Sequence, residues 1–581
     1  QAESNAVSSA PSALGSTPIF VPATAYWNPF GPVGSPNRLP DLNIPDEGVP
    51  LQIRNYAYHE GGPRDVKVEN MQYRILGGLR GEAFGWSWES ALLYNRAEVK
   101  DTQDHAASDL VQQALALTTP DAYNPFAGGN LNDWTDIDPV SANSPETVRS
   151  FMTQAVRENT TELTLWDFKV SKNDLLRLPA GGLGIAAGIE WRQHTYDDDR
   201  DLRQDTSTPY VDVVFGDSYG SSLMGHSPSR DVDGERDVFS AFVEFGVPVI
   251  SPEMEIPLVD AFDLQFAGRF EDYSDVGSVG RPKVAGSWDV VPGLRFRSSW
   301  SEGFKAPNLD VLNTPVLERL NGRTDFYACE ADLRAGVIDS FADCTRSYGV
   351  PGLRQGNRDL EPEESESFSY GVVFEPMFLP EGFGQLIVTV DRWSLEQTGI
   401  IGVLDEQQAI DLDYLFRLRG SSNPNVVRAE PTPAEIASFA GTGLEPAGEI
   451  LGVNSAFTNL LPLDLSGVDV GVVYNNFWDG FGDLSVSLNV SHIDEFFQSP
   501  APPQQVLIDA AASGELNEGV PVTGAADLRQ ENGNPELRWT LSATWSKGPW
   551  QVGYLTQFVD EVLQPNILDA DANPWVVDSL Q

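Results

Sequence analysis

The chain has 581 residues, of which 37 are basic and 85 acidic, for a formal net charge of −48, and 41% are hydrophobic. This acid excess excludes a nucleic-acid-binding protein, which must neutralise phosphates, and the hydrophobic fraction excludes a wholly disordered chain. No apolar run is long enough for a membrane-spanning helix, which leaves open a membrane β-barrel, whose strands are short and apolar only at every second residue.

In chain order, residues 1–66 are rich in Pro, Gly, Ser and Asn and read as loop. Alternation begins at Lys67–Gly81, and a second strand is expected at Trp86–Lys100. A long excursion from Asp101 to Glu158 carries one helical-looking piece, Leu110–Leu117. Strands are expected next at Thr160–Ser171 and Gly184–Tyr196, where Ile185, Ala187, Ile189 and Trp191 share a face. After an acidic loop, two more fall at Asp237–Val249 and Phe262–Tyr273. The segment from Lys283 is a hairpin turning at Val291-Pro292-Gly293; Leu294, Phe296, Ser298 and Trp300 lie on one face of its second strand, and Arg295, Arg297, Ser299 and Ser301 on the other. Further strands are expected at Ser367–Glu375, Gln385–Thr398, Asp464–Tyr474, Asp483–Phe496, Glu536–Ser546 and Gln551–Val562.

Short and long connections alternate along almost the whole chain, with one short link, around Asp275 to Ser278, on the long side. A soluble sandwich has no reason to keep that order, whereas an outer-membrane barrel has short turns at one rim and long loops at the other. Aromatic residues flank the short turns: Phe84, Trp86, Phe477, Trp478, Phe481, Trp545 and Trp550. They suit a girdle at the membrane interface.

Two motifs sharpen this reading. Gly303-Phe304-Lys305-Ala306-Pro307-Asn308 resembles the GF(R/K)APN signature of TonB-dependent receptors. Gly356-Asn357-Arg358-Asp359-Leu360-Glu361-Pro362-Glu363-Glu364-Ser365 resembles that family's GNPDLKPE(T/E)S, which reopens the barrel after a long surface loop. The resemblance implies an all-β, transmembrane antiparallel barrel, here partial, with about fourteen of roughly twenty-two strands. It implies active import of a scarce ligand (a siderophore, cobalamin or an oligosaccharide) across the outer membrane of a Gram-negative bacterium. The implied partners are outer-membrane lipid, the ligand, and TonB through parts outside this chain, with no cofactor and no chemistry on the ligand. The expected division is a lead-in over 1–66, taken as an extracellular loop, a barrel segment over 67–562 and a truncated loop over 563–581. Because Gln1 begins the chain with neither methionine nor an apolar leader, a segment of a longer protein carrying the plug domain elsewhere is expected. The rival readings are a passive porin-like channel and a secreted β-rich carbohydrate-binding protein or hydrolase.

Taking the apolar face as lipid-facing, Glu190, Arg192, Glu244, Arg269, Glu271, Lys283, Arg295 and Arg297 point into the lumen, and five of these eight are basic. They are candidates for pairing with plug carboxylates or guiding an anionic ligand, against the plainer reading of a hydrated lumen with internal ion pairs. Cys329 and Cys344 share a polar external loop and are expected to form a disulfide, worth about 3 kcal/mol on the entropic account. The tyrosines of the long loops, such as Tyr327, Tyr348 and Tyr414, and Phe416 suit either ligand stacking or loop packing. No catalytic constellation stands out: Gly216-Asp217-Ser218-Tyr219-Gly220 matches G-x-S-x-G without a convincing helix after it. The five histidines are scattered, and the acidic runs Asp197–Asp201 and Asp231–Glu235 do not match a full calcium loop.

Overall fold

A computed structural model describes residues 2–5, 18–53, 56, 58–130, 133–137, 143–522, 526–531, 533–568 and 574–577. Fourteen long strands build the wall: β1 (Val66–Ala83), β2 (Trp86–Ala106), β3 (Met152–Leu178), β4 (Gly181–Asp199), β5 (Val232–Ile250), β6 (Ala261–Tyr273) and β7 (Gly277–Val291), followed by β8 (Leu294–Lys305), β9 (Glu363–Phe374), β10 (Gln385–Val403), β11 (Ile450–Trp478), β12 (Gly482–Gln498), β13 (Leu537–Lys547) and β14 (Trp550–Val559). Each pairs antiparallel with the next in chain order. Five shorter strands bring the sheet to nineteen. No helix among the described residues is long and apolar enough to cross a membrane.

Register shows how the wall divides its two faces. Trp288, Phe296, Val372, Val390, Val470, Val490, Trp539 and Phe558 are successive cross-strand partners from β7 to β14. One residue over, the row reads Ser287, Arg297, Gly371, Asp391, Asp469, Ser491 and Arg538. Adjacent rows face opposite sides of a sheet, so an apolar face backs directly onto a polar one. Large apolar side chains stand open on that face, among them Trp288 at 40% and Phe296 at 44% of full exposure, too extended a surface for water to be its solvent.

The strands outrun the segments whose sequence alternates. Beyond Lys100, β2 runs to Ala106; β3 begins at Met152 rather than Thr160, and β11 at Ile450 rather than Asp464. Their upper outward positions are charged: Arg96 pairs with Glu162 at 2.6 Å and Lys100 with Glu158. On the opposite side Glu302, Glu366, Glu396 and Asp464 are cross-strand neighbours. Above the lipid both faces are wet, so the backbone ladder continues while the alternation that marked it disappears. Residues 562–568 and 574–577, in the stretch read as loop, form a short antiparallel pair.

At the rim of short connections, Phe84 and Gly85 have φ of 54° and 75°, as a two-residue type I′ hairpin requires, and the Phe84 ring is fully exposed. Trp478, Phe481 and Trp545 form a chain of rings with centroids 5.5 and 5.6 Å apart, and Trp545 Nε1 donates to the Phe481 carbonyl at 2.8 Å. A ring with an apolar body and a polar tip fits a membrane–water boundary. At the other rim the loops pack among themselves, and Ile19, Val21 and Tyr58 from the lead-in share a core with Val111, Leu115, Phe151 and Met224.

Leu488 and Ser487 are neighbours on opposite faces of β12. Leu488→Arg is expected to destabilise the folded protein in lipid by ~2–4 kcal/mol, and Ser487→Arg by much less; urea unfolding in lipid vesicles, followed by tryptophan fluorescence, measures both.

Paired motifs, inner-wall charges and the external cap

The two motifs lie on adjacent strand ends. Gly303 pairs with Ser365, Phe304 with Glu364 and Lys305 with Glu363, in register between β8 and β9. They therefore form the gate through which the chain leaves for, and returns from, the loop of residues 306–362. A Cβ on Gly303 would sit 2.6 Å from Ser365 Oγ, so the Ser365 hydroxyl would have to turn aside to admit one. Phe304 packs edge-on against Tyr273 at 6.3 Å. Arg236 is buried over the same Tyr273 ring, pairs with Asp275 and donates to the Pro307 carbonyl at 2.7 Å. Ala306 and Asn308 flank Pro307, and Asn308 precedes the one-turn helix Leu309–Asn313. On the return, Gly356 N donates to Thr314 O at 2.7 Å, and a Cβ on Gly356 would meet Leu312 O at 2.7 Å. Asn357 Nδ2 donates to Phe457 O at 2.9 Å, Leu360 is buried, and Pro362 leads into β9. Glu363, itself buried, accepts from Ile401 N at 3.0 Å and pairs with Lys305 at 3.2 Å. Arg236 and Asp275 were not singled out in the sequence, because a lone arginine and an acidic turn give no periodic signal.

All eight charged inner-wall candidates lie on the polar face. Arg192 pairs with Glu190 and with Glu271, both at 2.7 Å, and Arg269 with Glu271 at 2.6 Å and Glu190 at 3.5 Å. Glu244 accepts from Gln265 at 2.5 Å. Arg295 makes a two-pronged pair with Asp289 at 2.6 and 2.8 Å. Arg297 reaches Asp391 across Gly371, at 2.8 and 2.5 Å, and a Cβ on Gly371 would overlap Asp391 Oδ1. Lys283 has no ion-pair partner among the described residues. The wall thus neutralises most of its own charge and leaves Lys283 available.

Three external loops fold together as a cap with its own core, built on α1 (Phe326–Arg334), α2 (Glu406–Leu418) and α3 (Pro502–Ala512). Cys329 and Cys344 are joined by a disulfide within it. Tyr327 and Tyr414 are buried in the cap, donating to the Glu445 carbonyl at 2.8 Å and to Glu330 at 3.1 Å; Tyr348 accepts from Ile450 N at 2.9 Å. Phe416 packs against the same core. These rings hold loops together. Arg428, nearly inaccessible, pairs with Asp325 at 2.6 Å and Asp413 at 2.8 Å.

Elsewhere, Ser218 of the G-x-S-x-G match sits on a two-residue strand paired with Tyr210–Val211, and not on a strand-to-helix elbow. Asp198 takes both Arg157 (2.6 and 2.8 Å) and Arg200 (2.7 Å), and Asp201 accepts Arg203 N at 2.9 Å. His105 and His226, 121 positions apart, meet with Nε2 atoms 2.9 Å apart, a contact no spacing could announce.

An antiparallel wall with a greasy outside, a charged inside and loops gathered at one rim is a membrane β-barrel. The chain belongs to the TonB dependent receptor-like β-barrel family, whose model matches residues 18–576. Members of this family are outer-membrane receptors and transporters of Gram-negative bacteria, not enzymes. No curated protein matches the chain in sequence. Among solved structures, the siderophore receptor PirA of Acinetobacter baumannii is 13% identical with a TM-score of 0.48, covering 89% of this chain and 55% of its own. The ferric enterobactin receptor PfeA of Pseudomonas aeruginosa is 13% identical with a TM-score of 0.46, covering 88% and 53%. The RagAB peptide transporter is 12% identical with a TM-score of 0.42, covering 88% and 50%. The chain spans about half the length of these structures.

Two outcomes are expected for the cap. Arg428→Ala leaves two buried carboxylates without their cation, a loss of ~3–5 kcal/mol, read as rapid proteolysis of the loops while the barrel core stays protected. Asp411 is buried on α2, and burial pushes its carboxyl from 3.8 up to about 7 although Gln407 donates to it at 2.8 Å. The folded cap therefore keeps this proton where the unfolded chain has lost it, so cap stability falls by ~1.4 kcal/mol per pH unit as pH rises between those values. Asp411→Asn is expected to flatten that slope in hydrogen exchange measured from pH 4.5 to 7.5.

Proposed function

We propose that the complete protein is an energised importer, which binds a scarce ligand at its external loops and draws on TonB to admit it to the periplasm. The observation that carries this reading is the family match across residues 18–576, supported by the in-register meeting of the two motifs at the gate of the 306–362 loop. The ligand class is a siderophore, cobalamin or an oligosaccharide, all too large and too dilute to depend on passive pores. The wall fits such a role in physical terms. Its inner face is charged yet largely self-paired, so it holds its shape while contacts at its surface form and break.

Within this reading the eight inner-wall charges serve the plug or the passing ligand, and Lys283 is the cation placed to meet a carboxylate from outside the wall. Arg192, Arg269, Arg295 and Arg297, already engaged by acids of the wall, act as its framework.

The direct test is uptake by a deletion strain carrying the gene, on a panel of iron–siderophores, cobalamin and oligosaccharides, with and without TonB. Uptake that depends on both the gene and TonB is expected; uptake that continues without TonB would make the protein a passive channel. Lys283→Glu is expected to lower the rate about tenfold, the equivalent of ~1.4 kcal/mol, and Lys283→Arg to restore it.

A further inference from the structure

Where the external loops pack together, two histidines that the importer reading does not use are brought nitrogen to nitrogen. His105 is the penultimate residue of β2, and His226 belongs to residues 200–231, the loop between β4 and β5. Backbone pairing sets them against each other: Ser108 N donates to Ser222 O at 2.7 Å, and Met224 N to Ala106 O at 3.0 Å. His105 is fully buried and His226 half-buried. Their Nε2 atoms lie 2.9 Å apart and the ring planes cross at 86°, so the rings touch through nitrogen and do not stack. The same His105 Nε2 lies 3.0 Å from Gln103 Oε1.

An imidazole nitrogen carries either a proton or a lone pair, so it makes one good hydrogen bond in its ring plane, and here two partners compete for it. A shared cation relieves that competition, because it takes a lone pair from each of the three atoms at once. We propose that His105 Nε2, His226 Nε2 and Gln103 Oε1 hold one divalent transition-metal ion of the zinc and copper class, which fastens loop 200–231 to the end of β2. Imidazole is a preferred ligand of such ions. Two nitrogens 2.9 Å apart fall within the span of a single ion, whose bonds to imidazole are about 2.0–2.1 Å. Burial above all, with Arg64 facing the pair, holds both rings in the neutral form that donates a lone pair. The Gln204 side-chain amide lies 3.5 Å from His226 Nδ1; turned over, it presents its oxygen to the Nδ1 proton that a metal-bound ring must carry. Against the one cation, Arg64, stand the clustered carboxylates of Asp197, Asp199, Asp205 and Asp231 in and beside the same loop. Among the described residues no third histidine, cysteine or carboxylate joins the donors, so water completes the coordination on the open side of His226.

The complete receptor, stripped with a chelator and held in mild detergent, is titrated with zinc or, separately, magnesium, and the bound metal is counted by native mass spectrometry. Wild type is expected to take up one zinc ion and no magnesium, which prefers oxygen ligands. Zinc should also slow hydrogen exchange across residues 200–231. His226→Ala should weaken zinc binding at least about tenfold, since losing a direct ligand costs no less than losing an outer partner, and should abolish the zinc-dependent protection. His105→Ala should do the same, and His492→Ala, on β12, should change neither readout. A wild type that retains no zinc, or a His226→Ala variant that retains it undiminished, would overturn the proposal. Should His105→Ala fail to fold, the half-buried His226 decides.

Discussion

Hydrocarbon offers no partner for a peptide N–H or C=O, and each one left unpaired there costs several kcal/mol. That constraint organises this protein. Its wall strands run as an unbroken succession of antiparallel registers from Val66 to Val559. Backbone pairing across strands leaves each residue one side to face, so lipid and water each claim alternate positions. The bulges in β3–β4 between Lys172 and Leu176 and in β5–β6 between Pro248 and Ile250 lie toward the rim of short connections, and that in β10–β11 between Gln397 and Ile400 lies toward the long loops; at either rim water can meet an unpaired group.

This constraint also explains what the sequence could disclose. Where one face meets lipid, as at Leu484, Val486, Leu488 and Val490, alternation is strict and the strands are legible residue by residue. Beyond the lipid the ladder persists without a pattern, so the ends of β2, β3 and β11 could not be placed from sequence. The motifs at Phe304 and Pro362 were legible as motifs. Their meeting in register was not, because 57 residues of loop lie between Lys305 and Glu363 and only pairing geometry brings them together. The cap was the least legible part: Arg428 reaches Asp325 across 103 positions, and an ion pair has no periodicity. The buried tyrosines show the same limit, since an aromatic residue in a loop looks alike whether it packs or binds.

Charge is used differently on each surface. The inner wall sets arginines against acids of neighbouring strands, which lets a wet lumen carry many charges without a strong net field. Gly371 illustrates the precision needed, since even a methyl group there would part Arg297 from Asp391. The outward face above the lipid is predominantly acidic, consistent with the net charge of −48. The cap is closed by a disulfide and a buried arginine, which tie its loops into one folded body with its own core.

The central claim, that alternate side chains of the wall face lipid, is tested most directly by spin labels placed one at a time from residue 484 to residue 491 of β12 in lipid vesicles. Accessibility to dissolved oxygen, which concentrates in hydrocarbon, should peak at 484, 486, 488 and 490, and accessibility to a water-soluble nickel chelate should peak at the positions between. Uniform accessibility along the segment, or oxygen maxima at the serine positions, would contradict the account.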